Sequence, residues 1–325
     1  MNKIAPTTID QLSVTVLMDN HVNTLLENRG PVKRPSTTLE VASKVTKEGF
    51  VKSQLRAEHG FSAWVTIQNR NVEHSILFDA GVSPTGVSEN MQILELSAKD
   101  AEAIIFSHGH FDHTLGIDGI LDELGENNTP IIIHPEFWNK RRIVLPGRTP
   151  RILPSIDKSV LRQGGMEVIE ESRFPSFFLD NALLVTGEVD RTTNYEIGMQ
   201  GQEVFQEDSW QPDPLTLDDQ ALIANIRGKG LVIITGCGHS GIVNICKYAK
   251  KLTGENNIHA IIGGFHLPDG INPLILQNTV RDLKYLDPDW LIPAHCTGQQ
   301  AVLSLIKEHP KSMIQNSVGS RYVFS

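Results

Sequence analysis

Residues 103–113 read AIIFSHGHFDH. The run AIIF is short, apolar and partly β-branched, as a buried strand is, and it ends at Ser107. Three of the chain's 12 histidines and one aspartate follow: His108, His110, Asp112 and His113. From about Asp112 the apolar residues of DHTLGIDGILDEL (112–124) are spaced for one helix face. The four polar groups therefore stand in a tight strand-to-helix connection. In open α/β sheets, ligands collect beyond the carboxyl ends of strands. Imidazole and carboxylate are donors preferred by Zn²⁺ and similar divalent ions. Such groups are expensive to bury unpaired, and a cation removes that cost. The alternatives are a solvated turn or an Asp112 helix cap. They suit a lone HxH better than the full HxHxDH after an apolar strand.

Composition narrows the classes. The 325 residues, 40% of them hydrophobic and 21% charged, are enough for a large core in one domain or two. The formal net charge of −9 disfavours a nucleic-acid partner gripped through phosphates. Three cysteines, Cys237, Cys246 and Cys296, argue against a disulfide framework. No apolar run is long enough for a secretion signal or a membrane span, and the expected location is cytoplasmic.

Further strands are expected at 12–19, 61–68, 74–81, 130–135, 183–188, 231–236, 259–265 and 290–295. Helices are expected at 97–103, 112–124, 241–252, 273–286 and 297–309, the first opening on a Ser97/Asp100 capping box and the last on Thr297 as N-cap. Residues 25–60 read less clearly and admit a short helix. A mostly-β N-terminal part and strand–helix alternation in the C-terminal third suggest layered α/β with a mixed sheet. The segment at about 134–217, rich in Pro and Arg, reads as an irregular elaboration of a single domain spanning 1–325.

H-x-H-x-D-H is also the signature of the metallo-β-lactamase-fold superfamily, which the chain resembles over nearly its whole length. ILFDAG (76–81) resembles the strand that precedes the signature. LVIITGCGH (231–239) and LIPAHCTG (291–298) resemble the strands that carry the remaining ligands. AEHGFS (57–62), TGEVDRTTNYE (186–196), TGCGHSGIVNI (235–245), GGFHL (263–267) and AHCTG (294–298) resemble a narrower branch. That branch includes proteins named dihydropterin–ribofuranosylaminobenzene phosphate synthase. The resemblance implies an α/β fold of the α+β type: an αββα sandwich of two mixed β-sheets flanked by helices. It also implies two divalent metal ions, Zn first with Mn and Fe as alternatives. His108 and His110 would serve one ion, and Asp112, His113 and His295 the other.

Two positions depart from the pattern. The superfamily places a bridging aspartate where this chain has Cys237, and no separate upstream motif supplies a third imidazole for the first ion. His239 is taken as that ligand. Cys237 is read either as a thiolate ligand or as a small buried filler. Asp79 is expected to hold a ligand histidine or a loop, and His266 to touch substrate or move a proton together with Asp112. His59 has no placement from spacing alone. Lys140, Arg141, Arg142, Arg148 and Arg151 form a basic cluster. Of these, Arg141 and Arg142 are candidates to clamp an anionic small-molecule substrate, with Glu196 at the pocket mouth. A solvated loop or subunit contact is the other reading of this cluster, and a homo-oligomer stays open.

The chemistry implied is hydrolysis of a small ester, lactone or phosphate-containing substrate by ionised water. A synthase joining a dihydropterin diphosphate to a ribofuranosylaminobenzene phosphate is the first alternative. A single-iron sulfur-oxidising enzyme is the second. No Walker loop, G-x-G-x-x-G turn or G-x-S-x-G elbow competes.

Overall fold

The computed structural model describes residues 3–125, 127–170 and 173–325. Two β-sheets face one another. One runs in the order Glu167–Ile169, Pro130–Ile132, Ile104–Ile105, Val72–Phe78, Ser62–Asn69, Gln11–Met18, Arg321–Phe324, Val32–Lys33. The other runs Ser176–Phe178, Leu183–Val185, Ala221–Ile226, Gly230–Thr235, Ile258–Gly264, Trp290–Ala294, with Thr8–Ile9 pairing in parallel to Ala221–Ile226. Both sheets mix parallel and antiparallel pairs.

Alternation along each strand builds the layers. Val232 and Ile234 point between the sheets, where they meet Val14, Val65, Ile76 and Ile105. Leu231 and Ile233 point outward onto Val243, Val280 and Leu305. These come from the helices Ile242–Thr253, Pro273–Leu286 and Gln299–Glu308. Trp64, Leu77 and Ile104 on the other sheet point outward onto Met91 and Ile120, on the helices Gly86–Ile93 and Ile117–Leu124. Each fully buried aliphatic side chain contributes about 1.5–3 kcal/mol, so both faces of both sheets are held. The result is the αββα sandwich that the resemblance implied.

Several elements differ from the sequence reading. The helix expected over 112–124 is two pieces, Phe111–Thr114 and Ile117–Leu124. At Gly116 a Cβ would stand 1.9 Å from the Ala80 carbonyl oxygen, so this crossing requires glycine and breaks the run. The expected helix at 97–103 is a single 3₁₀ turn, Ala98–Asp100. Thr297 does not cap the last helix, because its hydroxyl accepts from the Phe265 amide instead. Residues 25–60 hold no helix but a hairpin, Glu40–Ala42 with Phe50–Lys52. The segment read as irregular contributes strands to both main sheets. It also forms the whole of a small sheet of its own, ordered Arg151–Ile152, Arg141–Ile143, Gln202–Gln206, Ser209–Pro212. Strands of two to five residues are too short to show a period of two, and of these only Leu183–Val185, within the strand expected at 183–188, is marked in the sequence by its apolar run.

Candidate metal centre

Four of the singled-out histidines lie just beyond the C-terminal end of a strand, and His110 and His113 follow at the N-cap position of and within the short helix Phe111–Thr114, all on one rim of the sandwich. His108 follows Ile104–Ile105, His239 follows Gly230–Thr235, His266 follows Ile258–Gly264 and His295 follows Trp290–Ala294. The sheets close tightly at this rim. A Cβ at Gly236 would sit 2.0 Å from Ser107 Oγ and 2.7 Å from Asp79 Oδ2. Asp79, His266 and His295 hold left-handed backbone, with φ of 58°, 45° and 49°. That conformation is costly for non-glycine residues and persists where surroundings over-determine it.

One group of imidazoles gathers His108, His110 and His239. His108 Nε2 lies 2.9 Å from His110 Nδ1 and 3.2 Å from His239 Nε2. The outward nitrogens decide what these short contacts mean. Ser107 Oγ donates to Asp79 Oδ2 at 2.7 Å and so accepts from His108 Nδ1 at 2.9 Å. Gln202 Nε2 donates to Thr216 Oγ1 and to the Asp213 carbonyl, which turns Gln202 Oε1 onto His110 Nε2 at 2.6 Å. Both rings therefore carry their proton on the outside and face one another with lone pairs. Burial, with the neighbouring imidazoles, pushes His108 and His239 well below the ordinary histidine range. Burial and Arg141 bring His110 down to about 4. Neutral lone pairs crowded to 2.9 Å are repulsive on their own and suit a shared cation.

A second group is built the same way. His295 Nδ1 lies 3.1 Å from Asn20 Oδ1, whose amide is oriented by donating to the His295 carbonyl. His295 Nε2, buried and without a hydrogen-bond partner, stands 3.2 Å from Asp112 Oδ2. His59 Nε2, on a largely exposed ring, lies 3.5 Å from the same oxygen. His113 Nδ1 meets Asp79 Oδ2 at 2.7 Å, and its Nε2 is 3.1 Å from Cys237 Sγ. Burial works against charge on His113, but Asp79 and Asp112 outweigh it and lift the imidazole to about 9. Burial alone would raise the Asp112 carboxyl, but His113 and His295 hold it well below the usual carboxylate range. The carboxylates thus favour positive charge at this point. Cys237 stands between the groups. Its sulfur lies within 4.8 Å of donor atoms of His108 and His113, of His239 and His266, and of His295 and Cys296.

Other candidates are placed elsewhere. Arg141 is buried, donating through Nε to Asp213 Oδ2 at 2.9 Å and through its terminal nitrogens to both oxygens of Asp218. Asp218 Oδ2 also accepts from the Gly109 amide at 2.8 Å, so Arg141 braces the histidine loop from behind. Arg142 pairs with Glu203 and lies over the Trp210 ring, 4.3 Å from its centroid. Glu196 is buried and accepts from the Val243 and Asn244 amides, at 2.8 and 2.9 Å. Those amides are unpaired donors in the first turn of helix Ile242–Thr253, which a carboxylate satisfies. His266 stays at the rim, its ring tilted 51° against His239 with centroids 4.1 Å apart, and its Nδ1 is buried without a partner.

The model of the metallo-beta-lactamase superfamily matches residues 59–295. The chain belongs to the metallo-beta-lactamase superfamily. It is 31% identical, over 267 residues, to the 7,8-dihydropterin-6-methyl-4-(beta-D-ribofuranosyl)-aminobenzene-5'-phosphate synthase of Methanocaldococcus jannaschii. That match covers 78% of this chain and 85% of the relative. An uncharacterized protein of the same organism is 33% identical over 264 residues, covering 81% of this chain and 93% of that one. Among solved structures, Tm1679, described as a metal-dependent hydrolase of the beta-lactamase superfamily, superposes with a TM-score of 0.70 at 22% identity. The superposition covers 97% of this chain and 98% of that chain, and it shows a shared fold. The superfamily fold implies divalent-metal binding, and the donors gathered at this rim are of the right kind. Among the described residues, no helix is long and apolar enough to cross a membrane.

Gln202, Asn20, Asp19, Ser107 and Asp218 orient the donors, and none was singled out from the sequence. Asp19 Oδ1 accepts from the His295 amide at 2.8 Å. Gln202 supports a direct prediction. Gln202→Leu removes the acceptor on His110 Nε2 and is expected to weaken metal affinity roughly 10–100-fold. Gln202→Glu keeps an acceptor there but sets a carboxylate oxygen against the Asp213 carbonyl and carboxylate, and is expected to fall between Gln202→Leu and wild type. A competition titration against a chromophoric chelator checks both.

Proposed function

We propose that this chain is a metal-dependent hydrolase that acts on a small ester, lactone or phosphate-containing substrate at this rim. The observation that supports it best is the arrangement of the lone pairs. His108, His110 and His295 are tied on the outside and open on the inside, next to Asp112 and Cys237. His108, His110 and His239 are assigned to one ion, and Asp112, His113 and His295 to a second. Cys237 takes the place of the bridging aspartate, and zinc is the ion that suits this N, O and S donor set. Divalent ions in such a site supply Lewis acidity and ionise water near neutral pH.

The chain's own residues do the rest. Asp112, held ionised by His113 and His295, is an anchor rather than a proton acceptor. His266 is taken as the group that carries the proton the leaving group takes up, a reading supported by its buried, unpaired Nδ1 beside His239. Asp79 and Gln202 keep His113 and His110 in the tautomers that face inward. The small sheet closes one side of the site and carries Arg142, whose guanidinium is half-buried, as the remaining candidate for an anionic group. All three cysteines are free thiols. That suits a reducing compartment, and we place the protein in the cytoplasm.

A synthase reading is favoured by one finding, the printed name of the 31%-identical relative. There an amine-bearing ring would displace diphosphate, and no water would be consumed. A panel of phosphodiesters, lactones, thioesters and a dihydropterin diphosphate with its aromatic acceptor separates the two. Metal-dependent turnover that incorporates ¹⁸O from labelled water supports the hydrolase. Turnover that needs the acceptor and leaves the label in solvent overturns it in favour of the synthase.

A further inference from the structure

The two histidine groups leave one reactive side chain unaccounted for. Cys296 directly follows His295, and its sulfur lies within 4.8 Å of both Cys237 Sγ and a ring nitrogen of His295. The approach of the two cysteines is built into the sheet. They follow the ends of Gly230–Thr235 and Trp290–Ala294, and the strand between them ends at Gly264. A Cβ at Gly264 would stand 2.6 Å from Cys296 Sγ and 2.9 Å from Cys237 Cα. Any larger residue there would drive the sulfurs apart.

The surroundings of Cys296 are polar. The His266 amide donates to Cys296 Sγ at 3.3 Å, and the Cys296 thiol donates to the Cys237 carbonyl oxygen at 3.3 Å, a proton that a bound cation would displace. His266 Nδ1 and His295 Nε2, on the residues around it, are buried with no hydrogen-bond partner. Cys246 is the contrast. It sits in the apolar layer with Ile242, Val243 and Leu252, as a cysteine used for packing does.

We propose that Cys296 is a metal-directed thiolate, so that the centre offers two sulfurs, Cys237 and Cys296, beside the imidazoles of His266 and His295. This rests on the reading of the rim as a metal centre. Two thiolates make that side of the centre soft, which selects zinc, cadmium or cobalt over magnesium or calcium.

Cobalt(II) added to the metal-stripped full chain under reducing conditions tests it. Bound cobalt is counted by mass spectrometry, and thiolate ligation is read from the charge-transfer absorption in the near ultraviolet. The wild type is expected to show the band. Cys296→Ser is expected to lose about half of its intensity per bound ion, and a variant lacking both sulfurs to lose it entirely. An unchanged band per bound ion in Cys296→Ser overturns the proposal while leaving the metal centre intact. Failure of the wild type to bind cobalt at all overturns the metal centre itself. A measurement on the wild type alone covers a variant that does not fold. Zinc is expected to protect Cys296 from alkylation by iodoacetamide at least tenfold relative to the stripped chain. Equal labelling with and without zinc overturns the assignment.

Discussion

His110→Ala is expected to abolish turnover while leaving the fold in place. The ring contributes Nδ1 to the group with His108 and His239, 2.9 Å from His108 Nε2. It stands at the N-cap position of the short helix Phe111–Thr114, and its side chain makes no capping hydrogen bond there. Its removal therefore takes away a donor without breaking an element. Loss of the electrostatic stabilisation that a metal gives a developing oxyanion is several kcal/mol. That corresponds to a fall in kcat/KM of at least about 10³-fold. Metal content should fall in the same preparation, and the circular dichroism spectrum should not change. Full metal content with lost activity would assign His110 to substrate instead.

Arg141→Met is expected to have the largest effect on stability. The guanidinium is buried between Asp213 and Asp218, and Asp218 also receives the Gly109 amide of the histidine loop. Removing the cation leaves a buried carboxylate with the loop amide as its remaining partner. Breaking a buried pair in this way costs about 3–5 kcal/mol, because an uncompensated charge stays behind. Urea unfolding should show the shift in midpoint. Arg141→Met with Asp218→Asn should recover part of it, since the more deeply buried carboxylate is then neutral and Asp213 alone keeps its charge. A loss under about 1 kcal/mol, the range of an exposed ion pair, would show that Asp218 finds water instead.

These two residues also show what the sequence made legible. His110 stands out because the signature is contiguous. Three histidines and an aspartate within six residues cannot be read as scattered surface polarity. His239 and His295 are legible as endings of apolar strands, LVIIT and WLIPA. Arg141 is legible only as one of a basic cluster, whose readings are an anionic ligand or a solvated loop or subunit contact. Its partners, Asp213 and Asp218, lie 72 and 77 residues further along the chain. No local pattern joins them. Gln202 lies 92 residues from His110 for the same reason, within strands too short to carry a period. Glu196 was assigned to the pocket mouth, whereas its carboxylate answers the free amides of a helix that begins 46 residues later, at Ile242. The strand Ala221–Ile226 went unread because Ala221, Ala224 and Asn225 dilute its apolar run, although it pairs along its whole length with Gly230–Thr235. Donors that gather around a cation follow chemistry that one residue type announces. The groups that orient them are ordinary amides and carboxylates, made specific only by folding.

Metal stoichiometry tests the central claim most directly. The full chain is saturated with zinc, dialysed against metal-free buffer, and analysed by inductively coupled plasma mass spectrometry. Two zinc ions are expected to be retained per chain, with a loss of retained zinc in His110→Ala. Retention of only trace metal by the folded wild-type protein would contradict that claim.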